Sequence, residues 1–231
     1  MNRELTSKQI NYNGFFFDII LYLTVMFLIR EVYFSKLPFI ANGLLWSFST
    51  LIIASWRMKV RNITWKYIGL RKPKNLLKTL LVTTGILIAI PILIIVFQQV
   101  QELLPVSLAP DTSSQDAVSK FGDLKGNWTH FFTIIPFILL QSALEELLDR
   151  GFLINWFERL FSKTSFATAI AVLLQAMIFG FRHSYDISER SITVGIIGLV
   201  MGIAYVKFGR NLWPLIIAHC ILNTMSMMGK V

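Results

Sequence analysis

The chain has 231 residues, of which 55% are hydrophobic, with a mean hydropathy of +0.61 and a formal net charge of +9. This length allows one domain or at most two small ones, and soluble domains are rarely so apolar. The composition therefore excludes an ordinary soluble globular protein.

Seven apolar segments follow one another along the chain, and each is long enough to cross a hydrocarbon core of about 30 Å as a helix. They lie near residues 15–33, 38–56, 77–100, 130–158, 164–183, 190–207 and 211–228. Backbone polar groups cannot stay unpaired in lipid, and the period-two alternation of a membrane barrel is absent. The sequence therefore predicts an all-α polytopic bundle of about seven transmembrane helices, forming one integral-membrane domain over residues 1–231.

The polar segment MNRELTSKQINYNG precedes the first apolar run, and no small-residue cleavage site follows it. This pattern predicts a first membrane helix rather than a removed signal peptide. The single cysteine, Cys220, lies inside the last apolar run and cannot form an internal disulfide. We expect it to serve packing.

The charges of the two long connections differ in sign. Residues 57–78 carry eight Lys or Arg and no acid, with Trp65 and Tyr67 spaced as headgroup anchors would be, whereas residues 101–130 hold four acids against two lysines. The positive-inside rule predicts a cytoplasmic basic segment, a cytoplasmic N-terminus and an external C-terminus. The same rule accounts for most of the net charge, so we expect no nucleic-acid partner.

The fourth apolar segment contains four ionisable residues, Glu145, Glu146, Asp149 and Arg150. Such groups near the bilayer centre cost at least a few kcal/mol each unless they pair or face water. On an α-helix Glu146 and Arg150 are four residues apart and can form an ion pair, while Glu145 is rotated by about 100° and points elsewhere. The segment alone is as consistent with a structural role, either a charge cluster that fixes helix packing or a helix end at the surface, as with a functional one.

Two later segments carry polar pairs at helical spacing: Phe179 with His183, and His219 with Asn223. A carboxylate, two imidazoles and an amide from three helices can converge on one pocket of a bundle. Such a set suits amide hydrolysis, because a carboxylate can take a proton from water while imidazole and amide donors stabilise the oxyanion. A Glu with two His can also hold zinc with an open fourth position, although no HExxH motif is present.

The strings EELLDR, FGFRH and HCILN resemble, in this order, the EExxxR, FxxxH and HxxxN motifs of the CPBP (CAAX protease and bacteriocin-processing) or Abi family of intramembrane proteases. RGFL after the first string and GRNLWPLIIAH before the third are also typical of that family. The resemblance covers residues 131–228, which we expect to be the catalytic core. Each motif alone is weak, but the three in order are specific.

The resemblance implies a role for each matching residue. Glu145 would be the base that activates water, and His183 would help to hold that water. His219 and Asn223 would form the oxyanion side of the site. We therefore expect an intramembrane endopeptidase that acts on a peptide or protein in or near the membrane.

The resemblance also implies supporting residues. Glu146 and Arg150 would form a pair, with Glu146 able to contribute to the site directly, and Phe179 would pack the pocket wall. At Asp149 the sequence departs from the family, which usually has an aromatic residue there. A third carboxylate at this position can compete for Arg150 or repel its acidic neighbours.

Members of this family are described both as metalloproteases and as metal-independent glutamic proteases. We expect no catalytic metal; zinc or another divalent ion, if used, would bind Glu145, His183 and His219. Family substrates include prenylated CAAX proteins in eukaryotes and, in bacteria, peptides linked to bacteriocin maturation, self-immunity and secreted signals. The expected location is the bacterial cytoplasmic membrane, with lipid as a partner.

Two other functions remain open at this point. One is a noncatalytic scaffold or immunity protein that keeps the motifs for packing, and the other is a proton-coupled carrier, since Glu and His within membranes also form proton relays.

The sequence also makes two predictions about helix packing. Gly195, Gly198 and Gly202 predict a small helix face that joins helices within the bundle. His183 lies near the end of its span although Glu145 lies near the middle of its own, which predicts a tilted or broken helix or a miscount of spans.

Overall fold

The structure, a computed structural model, describes residues 11–103, 108–109 and 120–231. Across these residues the chain folds into seven principal helices and contains no strand. The helices are α1 (Tyr12–Leu28, continued by a 3₁₀ turn at Ile29–Glu31), α2 (Phe39–Val60), α3 (Leu76–Gln101), α4 (Trp128–Leu160), α5 (Ala167–Ser184), α6 (Glu189–Lys207) and α7 (Trp213–Met228). The predicted all-α membrane bundle is confirmed.

Six of the helices in the described chain, α1 to α6, are long and apolar enough to cross a membrane, whereas α7 has 16 residues and is shorter. The predicted spans agree with the helices to within a few residues. Helix α1 ends at Leu28, or at Glu31 with its 3₁₀ turn, rather than at residue 33, and α2 continues to Val60 rather than ending at residue 56. In the last turn of α2, Arg57 donates from Nε to the buried carboxylate of Asp18 at 2.7 Å.

Two predictions concern residues outside the described part of the chain. The polar segment before the first helix falls there up to residue 10. So does much of the acidic connection, at residues 104–107 and 110–119.

Asparagine and serine side chains define where several helices begin. Asn11, Asn75 and Asn127 each accept a hydrogen bond from the backbone N–H three residues later, at 2.8 to 3.0 Å. Ser188 caps α6 in the same way, in a reciprocal arrangement with Ser191. These caps satisfy N–H groups that would otherwise lack a partner at the start of a helix.

Helices α5 and α6 pack closely through glycines. A Cβ atom on Gly180 of α5 would collide with the backbone oxygen of Ser191 and come within 3.0 Å of Gly195 on α6. Gly198 and Gly202 also face α5, so larger residues there would press on it. The small face of α6 therefore joins two helices of the bundle, as predicted.

Successive helices run in opposite directions, which gives the bundle two ends. Residues 61–75 lie at one end, where Tyr205 donates to the carbonyl of Ile68 at 2.6 Å and the N–H of Leu212 donates to Gly69 at 3.0 Å. We call this the basic end. At the opposite end, Arg30 donates to the carbonyl of Arg182 at 2.8 Å.

We expect the basic end to face the cytoplasm, because clustered Lys and Arg resist translocation. In a Cys220→Ser background, a membrane-impermeant maleimide should label Lys125→Cys on intact cells. It should label Lys66→Cys only after the membrane is permeabilised. Both positions are exposed. Labelling of Lys66→Cys on intact cells would reverse the assigned orientation.

Candidate active site

Helix α4 changes its hydrogen-bonding pattern where the charged residues lie. It is α-helical over Trp128–Glu145, π-helical over Glu146–Leu153 and α-helical again over Ile154–Leu160, and the Ile154 N–H donates to the carbonyl of Asp149, five residues back. Such π-helical insertions are rare and occur frequently at functional sites. The segment buries the side chains of Glu146, Asp149 and Arg150 completely.

Glu145, the last residue before the π-helical segment, directs its carboxylate towards two imidazoles from other helices. Its Oε2 lies 3.7 Å from Nε2 of His219 on α7 and 4.0 Å from Nε2 of His183 on α5. The Glu145 side chain keeps 13% of its surface exposed, so the carboxylate is within reach of water. The structure thus brings together one acid and two imidazoles that are far apart in the sequence.

A backbone carbonyl orients His183. Its Nδ1 lies 2.6 Å from the carbonyl oxygen of Phe179, one helical turn earlier. A carbonyl oxygen can only accept, so Nδ1 carries the proton, and in a neutral ring Nε2 presents a lone pair towards Glu145. His183 therefore directs an acceptor nitrogen towards the carboxylate.

Glu146 orients His219 in a similar way. Its Oε1 lies 2.7 Å from Nδ1 of His219 and 3.1 Å from Nη1 of Arg150. The predicted pairing of Glu146 with Arg150 is therefore present, and the same carboxylate also holds the imidazole. His219 consequently presents its Nε2 to Glu145, as His183 does.

Phe179 lies behind the two imidazoles and forms no part of the cavity surface, since it is 1% exposed. Its ring centroid is 4.6 Å from that of His183 and 6.3 Å from that of His219. The Arg150 guanidinium lies over the same ring at 4.2 Å, a favourable cation–π distance. The ring, which was predicted to pack the wall of the pocket, thus lies behind the imidazoles and not on the cavity surface.

Asn223 is held by a serine that the sequence analysis did not identify. Its Nδ2 donates to Oγ of Ser142 at 2.8 Å, and Ser142 donates to the carbonyl of Ile138 at 2.9 Å. Ser142 is completely buried. Ser142 is a polar residue one turn before Glu145 in an apolar helix, and this position could have identified it from the sequence.

Gln141 is a second residue that the sequence analysis missed. Its Nε2 donates to Oε1 of Glu145 at 3.3 Å and to Oγ of Ser47 on α2 at 2.7 Å. The amide therefore ties the carboxylate of Glu145 to a helix outside the three motifs. Its spacing of four residues from Glu145 was the available signal.

Asp149 binds an arginine other than the one expected. Its Oδ2 lies 2.7 Å from Nη2 of Arg182 but 4.0 Å from Nη1 of Arg150. Asp149 therefore does not displace Glu146 from Arg150. Its carboxylate pairs with Arg182, and the Arg182 guanidinium also lies 3.8 Å from Oε2 of Glu145.

A cavity of about 360 Å³ contains the site. Glu145, His183, His219 and Asn223 all line it, together with residues at the end of the bundle opposite the basic end. Cys220 is not among the lining residues, which agrees with a packing role.

The depth mismatch noted in the sequence disappears in the three-dimensional arrangement. Helix α5 ends at Ser184, directly after His183, whereas α4 has 33 residues and is about 50 Å long. A helix of that length exceeds the hydrocarbon core, so its middle need not coincide with the middle of the bilayer. Glu145 therefore meets His183 beside the end of α5.

The three predicted metal ligands supply suitable donor atoms but are widely spaced. Two ligands of a tetrahedral zinc ion lie about 3.3 Å apart, given bond lengths of 2.0–2.1 Å. The separations of 3.7 and 4.0 Å from Glu145 exceed that value. Over the described ranges, no group of three or more His, Cys, Asp and Glu side chains is arranged to hold a metal ion.

Comparison with protein families found one match. Residues 127–225 match the family model described as type II CAAX prenyl endopeptidase Rce1-like, and this range contains all three sequence motifs. No curated protein and no solved structure matched the chain.

We predict that Asp149→Asn destabilises the protein by about 3 kcal/mol, because it leaves the Arg182 guanidinium without its closest carboxylate in a buried site. The double variant Asp149→Asn/Arg182→Gln should lose less than the sum of the single variants. Thermal or denaturant unfolding in detergent measures both effects. The exposed Asp123→Asn, which changes a carboxylate that accepts a hydrogen bond from the nearby N–H of Lys125, is the matched control. Strictly additive losses would contradict the pairing.

Proposed function

We propose that this chain, whose residues 127–225 match the model of type II CAAX prenyl endopeptidases, is an intramembrane endopeptidase of the CPBP family in which Glu145 activates water to hydrolyse a peptide bond of a membrane-associated substrate. One observation carries this proposal. Oε2 of Glu145 faces Nε2 of both His183 and His219 across 4.0 and 3.7 Å, inside a cavity that reaches the end of the bundle.

A single water molecule fits the space between Glu145 and His183. Two hydrogen bonds of about 2.8 Å can span 4.0 Å through one bent water. Both protein atoms are acceptors when His183 is neutral, so the water donates one hydrogen to each. This orientation leaves an oxygen lone pair free to attack a carbonyl carbon.

The proton transfers then follow from Glu145. As the water oxygen bonds to the carbonyl carbon, its proton passes to the Glu145 carboxylate and the carbonyl oxygen takes up negative charge. The protonated Glu145 next delivers that proton to the amide nitrogen, and the C–N bond breaks. The products are a carboxylic acid and an amine, with Glu145 returned to its starting form.

Asn223 and His219 are placed to stabilise the oxyanion. Asn223 uses one amide N–H on Ser142 and has a second N–H for a ligand in the cavity. His219 is held at Nδ1 by Glu146 and presents Nε2 to the same space. It acts as a donor there when Nε2 carries a proton. Donors oriented in advance in this way stabilise a developing charge more strongly than water does.

The pairing of the buried charges favours a catalytic role for Glu145 over a purely structural one. Three carboxylates and two guanidiniums make up the cluster, and two of the carboxylates lie within 3.1 Å of a guanidinium. Glu145 stays 3.8 Å from its nearest guanidinium. A cluster kept only for packing would leave no carboxylate weakly paired, since such groups cost stability. The alternative is a noncatalytic scaffold or immunity protein with the same fold.

If the protein used a divalent metal, Glu145, His183 and His219 would have to approach one another more closely to bind it, and the metal would lower the pKa of a bound water molecule. The proton transfers described above require no metal.

We further propose that the protein acts in the bacterial cytoplasmic membrane, on a CAAX-type protein or on a peptide processed for bacteriocin maturation, self-immunity or signalling.

We predict that Glu145→Gln lowers the cleavage rate by about 10²- to 10⁴-fold, because glutamine keeps the shape but cannot accept the proton. Quantitative peptide mass spectrometry of membranes from cells with wild type, the variant or no protein measures this loss. Glu102→Gln, at an exposed position at the end of α3, is the matched control. Undiminished cleavage by folded Glu145→Gln would exclude Glu145 as the base. A phenotype that persists without any cleavage would support the scaffold.

Metal removal provides a separate prediction. Purified protein treated with EDTA or 1,10-phenanthroline should keep its cleavage rate, since a carboxylate base needs no Lewis acid. A rate that falls after chelation and returns when zinc alone is added would instead assign the three residues to a metal.

A further inference from the structure

Cationic side chains outnumber carboxylates on the surface of the cavity. Of the described residues that line it, five are cationic and one is a carboxylate, Glu145, at the catalytic centre. The five cations are Arg30, Lys120, Arg182, Arg190 and Lys230. Arg182 is already paired with Asp149, so the number of cations alone does not identify the residue that would bind a substrate.

Arg30 differs from the paired arginines of the bundle. Five arginines lie between 2.7 and 3.1 Å from a carboxylate: Arg57 and Arg61 on Asp18, Arg150 on Glu146, Arg182 on Asp149 and Arg210 on Glu158. Arg30 forms no such ion pair with any carboxylate of the described chain. It uses one N–H for the carbonyl of Arg182 and faces the cavity.

Two aromatic rings hold the Arg30 guanidinium in place. Its central carbon lies 4.4 Å from the centroid of Tyr185 and 5.0 Å from that of Trp46. These ring contacts satisfy none of the guanidinium N–H donors with an oxygen, so the N–H groups not bonded to Arg182 are available to a planar acceptor such as a carboxylate. The side-chain entropy that binding would otherwise cost has already been lost in this arrangement.

Arg30 is also close to the catalytic residues along the protein framework. The carbonyl that it binds belongs to Arg182, the residue directly before His183. An extended peptide advances about 3.3 Å per residue, so a carboxylate on Arg30 would belong to a substrate residue near the scissile bond. Phe39 and Phe121 line the same cavity and offer apolar surface to neighbouring side chains.

We propose that Arg30 binds a carboxylate that the substrate carries within a few residues of the cleaved bond. The carboxylate is either an Asp or Glu side chain or the free C-terminus of the substrate. The inference rests on the proposed protease function and adds to it a residue that determines specificity.

The test uses short apolar synthetic peptides in matched forms. One arm compares Glu with Gln at a single position in peptides with amidated C-termini, and the other compares free with amidated C-termini in the Gln peptides. The purified protein in lipid nanodiscs should cleave the carboxylate form in at least one arm with a kcat/KM about tenfold higher. The arm that responds identifies the source of the carboxylate.

Arg30→Gln should abolish this preference while cleavage of the neutral peptides continues. Arg71→Gln is the matched control, because Arg71 is exposed at the basic end and likewise donates to a backbone carbonyl, that of Gly209, at 2.9 Å. It should keep the preference of the wild type. No preference in the wild type, or an equal preference in Arg30→Gln, would overturn the inference and leave the proposed protease intact.

Binding of the same peptides to Glu145→Gln, followed by fluorescence anisotropy, gives a readout without turnover. Tighter binding of the carboxylate form that is lost in Glu145→Gln/Arg30→Gln would support the role of Arg30 even if no peptide is cleaved. Equal binding of both forms would contradict it. Absence of cleavage by the wild type with carboxylate-selective binding would count against the protease and in favour of a peptide-binding scaffold.

Discussion

The arrangement depends on one constraint: carboxylates buried in a membrane bundle must find partners on other helices. Glu146 shows the constraint most clearly, because one of its oxygens holds both Arg150 from its own helix and His219 from α7. Asp149 holds Arg182 from α5 in the same way. These two contacts bring α5 and α7 against the π-helical segment of α4, and the remaining acid, Glu145, faces both imidazoles.

Much of this was predictable from the sequence because membrane helices follow strong rules. The length of the apolar runs predicts the helices, and the i, i+4 spacings of Glu146 with Arg150 and of Phe179 with His183 predict contacts that the structure contains. The residue types suggested that Glu145, His183 and His219 converge on one pocket. In the structure the carboxylate of Glu145 lies within 4.0 Å of both imidazoles.

Other features were beyond sequence reasoning for physical reasons. The π-helical segment has no strong sequence signal, since its residues also suit an α-helix. The depth mismatch between Glu145 and His183 arose because the apolar run alone does not show how far α4 extends beyond the hydrocarbon core. The partner of Asp149 could not be predicted, because Arg182 lies on α5 and no spacing within one helix relates the two residues. Ser142 and Gln141 were passed over since single polar residues in apolar helices are common, and only their bonds to Asn223 and Glu145 distinguish them.

The π-helical segment has a consequence for how this protein can vary over time. A turn that closes over five residues instead of four contains one residue more than the regular helix requires. Loss of a single residue between Glu146 and Leu153 would remove that excess, so α4 could return to regular geometry while its two halves keep their relative orientation. The residues of the segment beside the deletion would each move to a neighbouring helical position, about 100° round the axis, and would lose their present partners. A point substitution leaves those positions unchanged. The chain's length across these few positions is therefore as constrained as the identities of its acids.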